Sequence, residues 1–217
     1  MSRTAPGHRA LAAVLLRGAA LALLCLVLAA CAGNPARRTS PADLQAQLQR
    51  EARLAAVDEW SLVGRIAVFD GNDNGSGRIE WQQQGDAFEI VFAAPVSRQS
   101  WRLSGGPAGA VLEGLEGGAR RAASAEALLE REAGWAVPLR KLRAWARGLR
   151  GTPTATISFD AEGLPATLQE DGWTVQYRDW HADLQPPLPR RVFAEKGERR
   201  VRLVVERWSA AAAPAGS

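Results

Sequence analysis

The chain has 217 residues, a formal net charge of +4, two Cys and two His. Such a length suits one domain, and so few cysteines rule out a disulfide-dense scaffold. The basic balance is no argument for nucleic acid: Arg3, Arg9 and Arg17 all precede residue 30, and the chain without them falls from +4 to about +1.

Those arginines and the apolar stretch from Ala19 to Ala30 have the build of a secretory signal peptide. The stretch is shorter than the roughly 20 residues of a membrane span. It ends in Leu28-Ala29-Ala30-Cys31, which resembles the lipobox of bacterial lipoproteins. The resemblance implies cleavage of residues 1–30 and lipidation of Cys31. Cys25 then leaves with the signal peptide, so no thiol pair remains for a disulfide or a cysteine zinc site. Three acyl chains would anchor the protein firmly, each buried CH₂ being worth about 0.8 kcal/mol. Ala32, where some bacteria use Asp as an inner-membrane retention signal, implies delivery to the outer membrane.

Residues 31–43 read as a Pro-interrupted polar tether. Ser40 or Asp43 is placed to cap a helix from about Leu44 to Val57, where Leu44, Leu48, Ala52 and Ala55 fall near helical spacing. From Trp60 the period becomes two. Trp60, Leu62, Ile66 and Val68 share one strand face; Asp70 to Gly77 reads as a turn-rich loop; Ile79 and Trp81, then Phe88, Ile90 and Phe92, line the next faces. Ala93 to Ser97 breaks the pattern before Trp101 and Leu103. Short strands with Gly-rich turns predict an antiparallel sandwich or barrel.

Two helices interrupt. Ser124 starts the first and Gly134 stops it; Pro138 opens the second, whose apolar stripe is Leu139, Leu142 and Trp145 or Ala146, with Arg140, Lys141 and Arg147 facing out. Strands resume at Ala155 to Phe159 and Ala166 to Glu170. Asp171-Gly172 is a hairpin signal into Trp173, Val175 and Tyr177. A Pro-rich segment leads to a last pair around Val192-Phe193 and Val201, Leu203 and Val205. The folded domain is expected over residues 44–209, with a disordered tail at 210–217.

No nucleophile, base and orienting group assemble, so no enzyme is expected and no cofactor is called for. His8 leaves with the signal peptide, and His181 has no second histidine at ligand spacing, so no metal site is expected. Tryptophan stands out instead, with eight in a chain holding one Met and one Tyr. These rings could fill a large aromatic core or line an apolar pocket; composition does not separate the two.

The order of motifs adds more. W-S-L-V-G-R-I-A-V at Trp60 to Val68, I-E-W-Q-Q at Ile79 to Gln83 and A-P-V at Ala94 to Val96 resemble the outer-membrane lipoprotein receptor family LolB. So do V-P-L-R-K-L-R-A-W-A-R-G-L at Val137 to Leu149, D-G-W-T-V-Q-Y at Asp171 to Tyr177, L-P-R-R-V at Leu188 to Val192 and V-R-L-V-V-E-R-W at Val201 to Trp208. The resemblance implies a mainly β fold, an incomplete antiparallel β-barrel covered by helices and enclosing an apolar cavity. It implies a receptor that takes acylated lipoprotein cargo from the periplasmic carrier LolA and inserts it into the phospholipid of the outer membrane, facing the periplasm and acting as a monomer.

On this reading Trp60, Leu62, Ile66, Ile79, Trp81, Phe88, Ile90, Phe92, Trp101, Trp173, Val175 and Tyr177 line the sheet side of the cavity, and Leu128, Leu139, Leu142 and Trp145 close it from the helices. In the family an exposed apolar residue after a proline puts cargo into the membrane; here the match is Pro95 and Val96. The family commonly has Leu-Gly where this chain has Val96-Ser97, so a weaker insertion, or a Val96 simply packed in the hairpin, is the alternative. An outer-membrane lipoprotein with a structural or assembly role, and a sensor of small hydrophobes, are the rival functions.

Overall fold

Ser40 opens the first helix. The computed structural model describes residues 39–71, 73–95 and 99–210; the expected signal peptide, Cys31, most of the tether, Val96 and the tail beyond Ala210 lie outside them. Helix α1 spans Pro41–Ala55 and starts in a capping box, with the Ser40 hydroxyl accepting from the Asp43 N–H and the Asp43 carboxylate from the Ser40 N–H. The helix thus begins three residues before the expected start, and both candidate caps are used.

Eleven strands follow: β1 (Glu59–Asp70), β2 (Asp73–Gln84), β3 (Ala87–Ala94), β4 (Gln99–Gly106), β5 (Gly109–Glu113), β6 (Arg120–Ala122), β7 (Thr156–Phe159), β8 (Pro165–Glu170), β9 (Trp173–His181), β10 (Leu188–Lys196) and β11 (Arg199–Ala210). They form one sheet in the order β6-β5-β4-β3-β2-β1-β11-β10-β9-β8-β7. Each neighbouring pair is antiparallel, and the first and last strands meet in the middle. The sheet ends at β6 and β7 rather than closing, so it is an incomplete barrel. Helices α2 (Ala125–Ala133) and α3 (Leu139–Ala146) connect its two halves.

Period-two patterning sets the inner face. Trp60, Leu62, Ile66 and Val68 are buried on β1, Ile79 and Trp81 on β2, and Trp173, Val175 and Tyr177 on β9. The hairpin before β9 turns on Asp171 and Gly172, both at positive φ (47° and 79°). The expected loop at Asp70 to Gly77 is a strand for most of its length: β2 already pairs with β1 from Asp73, and Gly75 lies opposite Val68. Its small polar residues read as a turn, but the long partner strand supplies the ladder. Strands β5 and β6 carry no clear alternation and are additions to the expected set.

Helix α2 is capped by the Ser124 hydroxyl and stopped by Gly134 at φ 69°. Helix α3 buries Leu139, Leu142, Trp145 and Ala146, as its stripe predicts. Arg147, expected to face out, is instead buried and donates to the Leu54 carbonyl of α1. Among the described residues no helix is long and apolar enough to cross a membrane.

Candidate functional site

The inner face of the sheet and the apolar sides of α2 and α3 meet in one cluster. It holds Trp60, Leu62 and Ile66 of β1, Ile79 and Trp81 of β2, Phe88, Ile90 and Phe92 of β3, Trp101 of β4, and Trp173, Val175 and Tyr177 of β9. Leu128 of α2 and Leu139, Leu142 and Trp145 of α3 pack into it from the helical side. The sequence-assigned residues are therefore brought together, all buried except the half-buried Phe88.

They are packed against one another. Leu128 and Trp145 are 0 % exposed and Trp81 and Leu142 are 1 % exposed, the state of a filled interior. Trp145 lies with its ring 5.7 Å from that of Trp173, tilted by 53°, and donates its indole N–H to the Glu170 carboxylate at 3.0 Å. Trp81 donates to Gln83 at 3.1 Å, and the Gln83 amide in turn donates to the Gly85 and Ala87 carbonyls. These bonds satisfy the Trp81 and Trp145 indole N–H groups, whereas the buried Trp60 indole N–H and Tyr177 hydroxyl have no hydrogen-bond partner among the described residues. Burial also pushes the Tyr177 phenol well above its ordinary value, so this hydroxyl stays neutral at any physiological pH.

Free volume lies at either end of this packed interior. One cleft of about 600 Å³ is lined by Phe69, Gly75, Phe92, Trp101, Leu112 and Trp135, with Asp73 and Glu132 also on its wall. Its floor is aromatic: Phe92 and Trp101 stack at 4.9 Å, and Trp135 meets Phe92 edge-on at 5.2 Å. Ala94 and Gln99, the residues on either side of the turn that carries Pro95, line the same cleft. Pro95 itself is exposed. A second cleft of about 390 Å³ opens by the β2–β3 hairpin, between Phe88, Ala110, Leu139 and Arg143.

Trp135 is the residue that sequence reasoning missed. It follows the Gly134 helix stop, where no periodicity marks its direction. Its ring lies over Gly75, where a side chain would overlap the indole, and Gly77 likewise leaves room for the Phe92 ring. Glycines at two inward positions of a strand were the signal that could have revealed a large side chain above them.

The polar groups serve structure. His181 holds the Val205 carbonyl at 3.0 Å through Nε2, and no group of three or more His, Cys, Asp or Glu among the described residues is placed to hold a metal ion. Arg50 and Arg147, both buried, are lowered to about 10 by desolvation and lie over the Trp180 and Trp60 rings.

Comparison with known proteins bears on this arrangement. The family model described as outer membrane lipoprotein LolB matches residues 58–208. An outer-membrane lipoprotein LolB of Xanthomonas campestris pv. campestris is 42 % identical over 171 residues, covering 76 % of this chain and 78 % of its own. One from Xanthomonas oryzae pv. oryzae is 40 % identical over 211 residues, covering 89 % and 97 %. Among solved structures, a DUF1329 family protein from Desulfovibrio piger has the same fold at TM-score 0.53, with 8 % identity over 80 % of this chain and 95 % of that one. A LolA superfamily protein from Nitrosomonas europaea aligns at TM-score 0.48, with 10 % identity over 78 % and 94 %.

Proposed function

The chain belongs to the LolB family of outer-membrane lipoproteins, and from that membership we propose that it is the receptor that takes lipoproteins from a LolA-type periplasmic carrier and passes them into the outer membrane. Membership makes it a lipid-anchored outer-membrane protein with a role in lipoprotein localisation. The finer steps are our reading. Cys31 carries the anchor, the sheet–helix interface takes the acyl chains of the cargo, and the hairpin at Pro95 and Val96 directs them to the phospholipid.

One observation carries this reading: an aromatic-floored cleft opens beside the turn at Pro95, and two of its rings, Phe92 and Trp101, belong to the predominantly apolar interior. Acyl chains exposed to water cost about 0.8 kcal/mol per CH₂. Passage from carrier to receptor to bilayer therefore needs only successively better apolar surroundings, with no nucleotide and no catalytic group. The cleft falls within the roughly 300–1,000 Å³ typical of small-ligand sites. A multiply acylated cargo needs more room, so Phe92, Trp101 and Trp135 form the entry, and the sixteen packed residues become the lining as α2 and α3 part from the sheet.

The test is transfer. The mature chain with Cys31→Ser is mixed with carrier loaded with a radiolabelled lipoprotein, and the label is followed by pull-down. Transfer that requires the acyl chains supports the receptor. A folded protein that takes no label from a competent carrier overturns it.

A further inference from the structure

Helix α1 is mounted the wrong way round for a helix of a soluble domain. Its buried residues are Asp43, Gln47, Arg50 and Leu54, so three of its four inward positions are polar. They are held by hydrogen bonds: Gln47 donates to the Gly148 carbonyl at 3.0 Å and Arg50 to the Arg147 carbonyl at 2.9 Å. Roughly a third of a turn away, Pro41, Leu44, Leu48, Ala52 and Ala55 fall along one side at helical spacing, and all are exposed. Leu44 is 42 % and Leu48 50 % exposed; with Phe69 they are the large hydrophobic residues found exposed in the described chain. An apolar stripe on a helix is normally the face that packs. Here the packing face is polar and the stripe is bare.

What covers it follows from where the helix sits in the chain. The lipidated Cys31 lies ten residue steps before Pro41, and even fully extended this stretch reaches about 33–36 Å. The anchor therefore keeps the stripe within a short tether's length of the bilayer. The tether also brings Arg37 and Arg38 and no acidic residue, which favours an anionic surface.

We propose that α1 is an interfacial helix, seated by its Pro41, Leu44, Leu48, Ala52 and Ala55 stripe on the phospholipid surface that holds the anchor. The inward polar contacts then fasten the domain to a helix lying on the membrane. An apolar face of this kind buries into the headgroup–acyl boundary. The inference rests on the lipid-anchored location and not on the cargo reading.

The test uses the mature lipidated protein in vesicles of phosphatidylethanolamine and phosphatidylglycerol. With Cys31 acylated and Cys25 removed, an introduced cysteine is the sole free thiol, so Leu48→Cys, Ala52→Cys and, on the exposed outer face of β2, Gln82→Cys can each carry an environment-sensitive fluorophore. The labels at 48 and 52 are expected to shift to shorter wavelength and to be quenched several-fold more by spin-labelled lipid than the label at 82. Replacing phosphatidylglycerol by phosphatidylcholine is expected to reduce that difference. In a Leu44→Glu/Leu48→Glu background the label at 52 is expected to lose its quenching while the circular dichroism is unchanged; should that pair not fold, Leu44→Gln/Leu48→Gln serves. Equal, weak quenching at all three positions overturns the proposal. So does a label at 48 that becomes shielded only when the loaded carrier is added, which would make the stripe a protein-docking face. Neither result touches the acyl transfer assay, which is run in solution without the anchor.

Discussion

A single missing side chain places the ring at the mouth of the cleft. Trp135 comes from the loop after α2, which the Ala136 N–H ties to the Asp70 carboxylate of β1 at 2.8 Å; its ring settles over Gly75 because β2 offers bare backbone there. The ring then closes an aromatic group with Phe92 and Trp101, edge-to-face with both, at 5.2 Å and 5.9 Å. Gly75→Val fills that space and displaces the indole. The expected result is a red-shifted tryptophan emission and a several-fold weaker uptake of acylated cargo, with the circular dichroism little changed, since the exposed end of β2 tolerates the substitution in its own ladder. Trp135→Ala removes the same ring without crowding the strand and should weaken uptake to a similar degree. If both variants take cargo as the parent does, this cleft is not the entry. That sixteen of the candidate residues share the apolar interior was legible in the sequence, because they obey a period of two or of 3.6. Trp135 was not, because its position is decided by a residue sixty places away that has no side chain.

At the scale of the element, α1 is a strap tied to the end of α3. The chain leaving a helix C-terminus presents carbonyls that need partners, and those of Arg147 and Gly148, just past the end of α3, are taken by Arg50 and Gln47. A cation there is also favoured by the helix dipole. Arg150 completes the tie, donating to both oxygens of Glu51 at 2.9 Å and 2.7 Å. Partial burial alone would raise the Glu51 carboxyl, but the bonds from Arg150 and Gln47 outweigh it and hold the group below its ordinary value. A carboxyl with a lowered folded-state value binds fewer protons in the folded chain than in the unfolded one. Its contribution is therefore complete above the ordinary value of 4.5 and is lost as pH falls through the lower, folded-state value. The pair keeps about a fifth of its side-chain surface in solvent, so the gain is modest, about 0.5–1 kcal/mol. Urea denaturation is expected to show Glu51→Gln less stable than the parent at pH 6, with the gap narrowing as the pH is lowered below 4.5 towards 3. A constant gap across that range would place the loss elsewhere than in the ion pair. The existence of this strap and its N-terminal cap could be read from Ser40 and Asp43, although it starts three residues earlier than expected; its orientation could not. Leu44, Leu48, Ala52 and Ala55 fall at helical spacing, and only the carbonyls of Arg147 and Gly148 just past α3, a hundred residues on, explain why Gln47 and Arg50 point inward instead.

Across the whole molecule, the central strands and the helices differ in what holds them. β1 pairs along its whole length with β2 and β11, two twelve-residue strands. Helix α2 buries Ala125, Leu128 and Leu129 and rests near the short edge strands, ending in a Gly134 stop. Local opening takes the course of least buried apolar contact and fewest protected hydrogen bonds, and α2, short and resting on the edge strands, is the part of the helical cover that the proposed opening moves. Its departure would uncover Leu128 and, beneath it, the inner faces of β4 and β5, continuous with the cleft beside Pro95. Hydrogen exchange on the free protein is expected to show the amides of α2 exchanging at least tenfold faster than those of β1 and β11, and faster again while cargo is bound. Protection of α2 equal to that of β1 would mean that the interior does not open there. On the proposed reading, release is the converse step and runs by the turn at Pro95. Val96→Glu adds a charge next to Pro95 in the chain, so uptake from the carrier should stay at the parental level while delivery into vesicles falls several-fold. Delivery at the parental rate by that variant would remove the hairpin from the transfer and leave the parting of α2 from the sheet as the step that frees the acyl chains.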